Sequence, residues 1–166
     1  MQKTQVEVEK TPAQTIGFSR QSWLCVILKG MSLETQKVDP KDRKILVIDD
    51  DPDSLSIIAE ALRWDGYQTQ SAISGAEGLA LIQSWSPDLI LLDVNMPGMN
   101  GLDVLTRLKI HEHTQKIPVL MLTGESKAED IMAGYNIGAD YYITKPFTRQ
   151  QLLFGLNLLL EKESQG

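Results

Sequence analysis

The sequence predicts an α/β protein with a parallel sheet covered by helices on both faces. Apolar runs of strand length alternate with amphipathic segments of helix length five times between residues 44 and 163. The central runs, such as LILL at 89–92, have no polar face, as expected for strands that are buried on both sides. Such alternation implies right-handed crossovers, which place helices on both faces of the sheet. With 42% hydrophobic and 23% charged residues, the 166-residue chain has enough apolar material for this core.

The individual elements follow from local signals in the sequence. The predicted strands are ILVI (45–48), YQTQSA (67–72), LILL (89–92), VLML (119–122) and DYYIT (140–144). Helix starts are predicted at Asp51 before Pro52, at Asn100, and at capping boxes in 74–77, 126–129 and 148–151. At this size, the expected result is a flavodoxin-like five-stranded sheet with strand order 2-1-3-4-5.

Apolar residues at helical spacing predict the buried face of each helix. These residues are Leu55, Ile58, Ala59 and Leu62 in the first helix, and Leu79, Ile82 and Trp85 in the second. The last helix has a wider apolar face, because Phe154 and Leu158 lie outside its leucine stripe. This second patch is either part of an ordinary wide stripe or a contact surface.

The first 43 residues do not share the alternating pattern. They are mostly polar, apart from the apolar run WLCVIL at 23–28. We interpret residues 1–43 as a largely disordered extension or linker, residues 44–163 as the folded domain and residues 164–166 as a tail. Two alternatives are that residues 23–28 dock on the domain and that translation starts at Met31.

Composition excludes several classes of function. The net charge of −6 and the absence of a basic stripe argue against direct nucleic-acid binding. Cys25 is the only cysteine, so the chain has neither an intrachain disulfide nor a zinc-binding cysteine pattern. No apolar run approaches the roughly 20 residues that a membrane span requires. We therefore expect a cytoplasmic protein without a membrane span.

Polar residues follow four of the five predicted strands. Asp49 and Asp50 follow the first strand, Asp93 the third, Thr123 the fourth and Lys145 the fifth. Because parallel strands end on the same side of a sheet, all five residues are expected around one crevice, near the switch point between strands one and three.

These residue types together suit phosphoryl transfer. Three neighbouring carboxylates repel one another unless a cation intervenes, and Mg²⁺ prefers oxygen ligands of this kind. Lys145 adds a second positive charge and Thr123 a hydroxyl donor, which suit a transition state with charge spread over oxygens. Asp93 is the natural nucleophile.

Four segments resemble the receiver domain of two-component response regulators: ILVIDDDPD (45–53), LILLDVNMPGMNGLDVL (89–105), VLMLTG (119–124) and YYITKPF (141–147). The resemblance implies that Asp93 is the phosphoacceptor. It implies that Asp50 is the principal Mg²⁺ ligand, that Asp49 binds the metal through water, and that the backbone carbonyl of Asn95 completes the protein ligands.

The resemblance also implies how the signal is read. Lys145 would pair with the phosphoryl group, Thr123 would move to bond it, and Tyr142 would turn inward as the aromatic switch. The Lys145–Pro146 peptide bond would be cis. Asn95 and Glu125 would tune the lifetime of the phosphoryl group, in a combination similar to that of single-domain chemotaxis regulators with short-lived signals.

We therefore expect a single-domain response regulator that is not a conventional enzyme. A histidine kinase or phosphotransfer protein would supply the phosphoryl group, and we expect no output domain after residue 163 unless the chain is a fragment of a longer protein. Output would then occur through protein contacts, at the surface formed by the fourth helix, fifth strand and fifth helix, with a target or a second copy of the chain. One alternative is a receiver-like interaction module that works without phosphorylation. Another is a Mg²⁺-dependent phosphohydrolase, although Asn95 stands where that class is expected to have an acidic residue.

Overall fold

The secondary structure alternates strictly between strands and helices. The structure is a computed structural model and describes residues 42–124 and 128–163. The elements are β1 (Lys44–Ile48), α1 (Pro52–Trp64), β2 (Gln68–Ala72), α2 (Gly75–Trp85), β3 (Leu89–Asp93), α3 (Gly101–Ile110), β4 (Val119–Thr123), α4 (Ala128–Ile137), β5 (Tyr141–Thr144) and α5 (Arg149–Glu163).

The five strands form one parallel sheet in the order β2-β1-β3-β4-β5. The predicted flavodoxin-like topology is therefore confirmed. Strands β3 and β4 are buried along their whole length, whereas the edge strands β2 and β5 are only partly buried. This difference explains why the central strands lack a polar face in the sequence.

Side chains alternate between two cores, one on each face of the sheet. In β1, Ile45 and Val47 pack in the cluster that includes residues of α1 and α5, whereas Leu46 and Ile48 pack in the cluster that includes residues of α2 and α3. The predicted inner face of α1 is confirmed, because all four of its residues are buried.

Helix α2 packs against the core with the three predicted residues and also with a glycine that the prediction did not include. Ile82 is buried, Leu79 and Trp85 are partly buried and pack against the same core cluster, and Gly78 approaches the sheet closely. A Cβ atom on Gly78 would lie 2.9 Å from Cγ1 of Ile48, which is too close for any other residue without rearrangement. The helix packs tightly because it lacks side chains there, a feature that a search for apolar residues overlooks.

The predicted helix starts are confirmed where the structure describes them. Asp51, Ser74 and Asn100 are N-caps that accept hydrogen bonds from backbone N–H groups of the first turn. In α5, Thr148 and Gln151 form the predicted capping box, with bonds of 2.8 and 3.2 Å. The capping box at 126–129, the extension before residue 42 and the tail at 164–166 lie outside the residues or side chains described.

Among residues 42–124 and 128–163, no helix combines the length and the apolar character needed to cross a membrane.

Candidate functional site at the carboxyl end of the sheet

Four neighbouring strands direct polar residues to the same end of the sheet, the carboxyl end. Asp49 follows β1, Asp93 is the last residue of β3, Thr123 is the last residue of β4, and Lys145 follows β5. Asp49, Asp93 and Thr123 are buried, with 1%, 4% and 2% of their surfaces exposed. Carboxylates remain buried in this way only when they have strong polar partners.

Lys145 is the partner of both buried carboxylates. Its Nζ atom lies 2.6 Å from Oδ2 of Asp49 and 2.6 Å from Oδ1 of Asp93. The Lys145 backbone N–H donates a 2.7 Å hydrogen bond to the carbonyl of Thr123, and the Lys145–Pro146 bond is cis, as expected. One residue thus connects the ends of β1, β3 and β4.

The electrostatics of the site favour protonation of both partners. Burial raises the pKa of Asp93, and the negative charge of Asp49 adds to this effect, although Lys145 opposes both. Burial by itself would lower the pKa of Lys145, but its hydrogen bonds to Asp49 and Asp93 outweigh burial and raise it. The buried Asp93 carboxylate is therefore poorly solvated, a cost that a further bound cation would offset.

Three carboxylates at this end of the sheet fit a divalent cation. Asp49, Asp50 and Asp93 each offer an oxygen, and these oxygens lie within 4.8 Å of one another. Asp50 is exposed, whereas the other two are buried. A set of oxygen ligands that is open to water on one side suits Mg²⁺, which keeps several of its own waters.

The loop after β3 folds back over Asp93. The backbone N–H of Asn95 donates a 2.8 Å hydrogen bond to Oδ2 of Asp93, and the side chain of Asn95 is exposed. Gly101 donates to the carbonyl of Val94 at 2.9 Å, and a Cβ atom at Gly101 would lie 2.9 Å from the Val94 Cα atom. The sequence predicts a helix start at Asn100 but does not predict this close approach of Gly101 to the site.

Of the two switch candidates, Thr123 lies at the site and Tyr142 lies beside it. Tyr142 is half-buried in the middle of β5, where it pairs in register with Met121. Its ring lies 4.9 Å from that of Tyr135 on α4, at an angle of 54°. Glu125, the second candidate for lifetime tuning, lies outside the described residues.

Comparison with known proteins places this geometry in a family. The response regulator receiver domain family matches residues 45–157. Chemotaxis protein CheY4 of Vibrio cholerae has a similar structure, with 32% identity and a TM-score of 0.68 over 70% of this chain and 98% of that one. A CheY-like receiver domain protein from Methanospirillum hungatei is 33% identical, with a TM-score of 0.69 over 75% and 98% of the two chains.

Two curated relatives are longer. The DNA-binding dual master transcriptional regulator RpaA of Synechocystis sp. is 41% identical over 119 residues, which are 72% of this chain and 49% of RpaA. The phosphate regulon transcriptional regulatory protein PhoB of Pseudomonas aeruginosa is 38% identical over 124 residues, which are 75% of this chain and 54% of PhoB. The chain thus spans about half the length of these relatives. From the family match together with the fold and the acidic site, the chain belongs to the response regulator receiver domain family.

Proposed function

We propose that Asp93 accepts a phosphoryl group from a histidine kinase or a phosphotransfer protein, and that this modification switches protein contacts. The observation that supports the proposal most directly is the 2.6 Å contact between Lys145 and a buried Asp93 carboxylate, beside two further aspartates. The chain also belongs to a family of phosphoacceptor signalling domains, and this membership supports the same reaction.

In the proposed step, a carboxylate oxygen of Asp93 forms a bond to phosphorus. The bond between phosphorus and the donor breaks, and the donor leaves with its electron pair. Lys145 then gains a phosphoryl oxygen as a partner, and the Thr123 hydroxyl donates a second bond. The Asn95 N–H holds Asp93 in place through its other oxygen.

Asp49, Asp50, Asp93 and the backbone carbonyl of Asn95 are the proposed ligands of Mg²⁺. Bound there, the metal would neutralise part of the charge on the phosphoryl oxygens. Because Asp50 is exposed, replacing it should disturb the fold little while weakening metal binding.

The proposed readout is a shift between two conformations, in which Thr123 and Tyr142 change position together. The two helices that flank β5 in the chain, α4 and α5, carry exposed apolar side chains. Met132 and Tyr135 on α4 are 61% and 47% exposed, and Phe154 on α5 is 62% exposed. We propose that α4, β5 and α5 form the contact surface for a target protein or a second copy of the chain.

We propose that this receiver acts in the cytoplasm through protein contacts rather than by binding nucleic acid. Its acidic charge supports this, and so does the match to CheY4, which covers 98% of that chain. The lifetime of the modification would depend on Asn95 and Glu125, and we propose rapid loss of the phosphoryl group.

The decisive experiment is intact mass spectrometry after incubation with acetyl phosphate and Mg²⁺. We expect one phosphoryl adduct on the natural chain, none on Asp93→Asn, and a strongly reduced amount on Asp50→Asn or with a chelator. Asp42→Asn removes a charge from an exposed residue just before β1, at the amino end of the sheet, and should behave like the natural chain.

An adduct that persists in Asp93→Asn would contradict the assignment of the phosphoacceptor. No adduct on a folded natural chain would instead favour the interaction module that works without phosphorylation. An adduct that remains for hours in Mg²⁺ buffer would contradict the proposed rapid turnover.

A further inference from the structure

Tyr142 extends from β5 toward α4. Its ring packs against the cluster formed with α2 and α3, and its hydroxyl oxygen is buried. Tyr135 covers the ring from the α4 side and is itself 47% exposed. The aromatic side chain therefore occupies an inward position between the strand and the helix.

Gly134 is the residue of α4 that makes room for this position. A Cβ atom built on Gly134 would overlap the hydroxyl oxygen of Tyr142 and lie 2.7 Å from its Cζ atom. The same Cβ atom would also lie 3.3 Å from Cδ2 of Leu102 on α3. Tyr142 thus fills the space that the side chain of any other residue at position 134 would need.

The backbone of α4 is held in place at this point. Ala139 donates to the carbonyl of Gly134 at 2.9 Å, and Gly138 donates to the carbonyl of Tyr135 at 3.1 Å. Gly138 has a positive φ of 114°, so these two bonds form the Schellman motif that closes the helix. Two residues after Gly138, Asp140 donates its N–H to the carbonyl of Val119 at 3.0 Å, which ties the end of α4 to β4.

The backbone of Tyr142 is held as well, because β5 pairs with β4 and Tyr142 is in register with Met121. With both backbones constrained, the element that can yield is the Tyr142 side chain, which rotates about two bonds. Rotation away from α4 would carry it toward solvent on the outer side of β5.

We propose that Gly134 is the steric gate for Tyr142, so that the absence of a side chain at position 134 admits the tyrosine to its inward position. The link between this inward position and a phosphorylation switch rests on the proposed function. A Cβ atom at position 134 should therefore expel Tyr142 and disfavour the conformation that phosphorylation stabilises.

The position of Tyr142 can be measured without phosphorylation. The chain has four tyrosines, so labelling with 3-fluorotyrosine gives four ¹⁹F NMR signals, which single Tyr→Phe variants assign. We expect Gly134→Ala to move the Tyr142 signal to a solvent-exposed shift. Asn136→Ala, an exposed position in the same turn, should leave that signal unchanged. A buried Tyr142 signal in folded Gly134→Ala would overturn the gate.

A second measurement tests whether the residue at position 134 affects phosphorylation of Asp93. By linkage, expelling Tyr142 should lower the ratio of phosphorylated to unphosphorylated chain at a fixed acetyl phosphate concentration, by about fivefold or more. In a Tyr142→Ala background, Gly134→Ala should have no further effect, because the clash is absent. An equal effect in both backgrounds would overturn the gate. If the natural chain formed no adduct at all, the proposed function would fail, while the NMR result would still decide the position of Tyr142.

Discussion

The two ends of the sheet use aspartates in opposite ways. At the amino end, where the strands begin, Asp88 and Asp140 each precede a strand and clamp it to its neighbour. Asp88 donates its N–H to the carbonyl of Lys44 at 2.8 Å, and its carboxylate accepts the Lys44 N–H at 2.7 Å. Asp140 makes the same pair of bonds with Val119, at 3.0 and 2.9 Å.

Each aspartate at the amino end also has one cation of its own. Arg43 lies 3.2 Å from the carboxylate of Asp88, and Lys109 lies 3.1 Å from that of Asp140. Charge is therefore balanced pair by pair, and the clamps leave little attraction for a further ion.

Among the described residues, the carboxyl end has three clustered carboxylates, and Lys145 is the one cation in ion-pair contact with them. The excess negative charge, two buried acids and the raised pKa of Asp93 favour binding of a further cation. At the amino end, ion pairs with balanced charge hold neighbouring strands together. At the carboxyl end, the cluster with excess negative charge is suited to metal binding and phosphoryl transfer. The following three predictions test this distinction, beginning with the largest effect.

Replacing Lys145 should affect both stability and chemistry. Lys145→Met leaves Asp49 and Asp93 buried without their shared ammonium group, so we expect the free energy of unfolding to fall by about 3 kcal/mol in metal-free buffer. The phosphoryl adduct should also form much more slowly. Urea denaturation and mass spectrometry measure the two effects.

The matched control is Lys116→Met, which removes the same charge from an exposed position. It should change stability by less than about 0.5 kcal/mol. Equal stabilities of the two variants would contradict the role assigned to Lys145 in holding the buried acids.

Replacing an amino-end clamp should affect stability alone. Asp88→Ala removes the acceptor for the Lys44 N–H and the partner of Arg43, so we expect a loss of about 2 kcal/mol. The rate of adduct formation, measured below the unfolding temperature of the variant, should stay unchanged. A large fall in that rate would show that the two ends of the sheet are coupled.

The third prediction concerns the dependence of stability on pH. Because burial raises the pKa of Asp93, the folded protein keeps a proton that the unfolded chain releases. The natural chain should therefore lose stability relative to Asp93→Asn as pH rises from the ordinary value of 3.8 through the raised pKa.

Urea denaturation of both proteins in chelator, across that pH window, measures the difference. Asp42→Asn again serves as the exposed control. A difference between Asp93→Asn and the natural chain that did not grow with pH would contradict the raised pKa.

The strand order and the grouping of the site residues could be predicted from sequence, because they depend on local patterns and general rules of chain topology. Alternating apolar runs identify the strands, right-handed crossovers restrict their order, and parallel strands must end on the same side. Asp49, Asp93, Thr123 and Lys145 follow from these rules. The close packing of α2 did not follow, because the relevant signal was the absence of a side chain at Gly78.

The sequence by itself determined the fold class, the helix caps and which polar residues stand at the carboxyl end of the sheet. Only the tertiary structure decided that Lys145 bridges two buried acids, that Asp88 and Asp140 clamp neighbouring strands, and that Gly134 admits Tyr142. The physical reason is that periodicity and capping act over a few residues. Contacts between atoms far apart in the chain depend instead on how closely the packed elements approach one another.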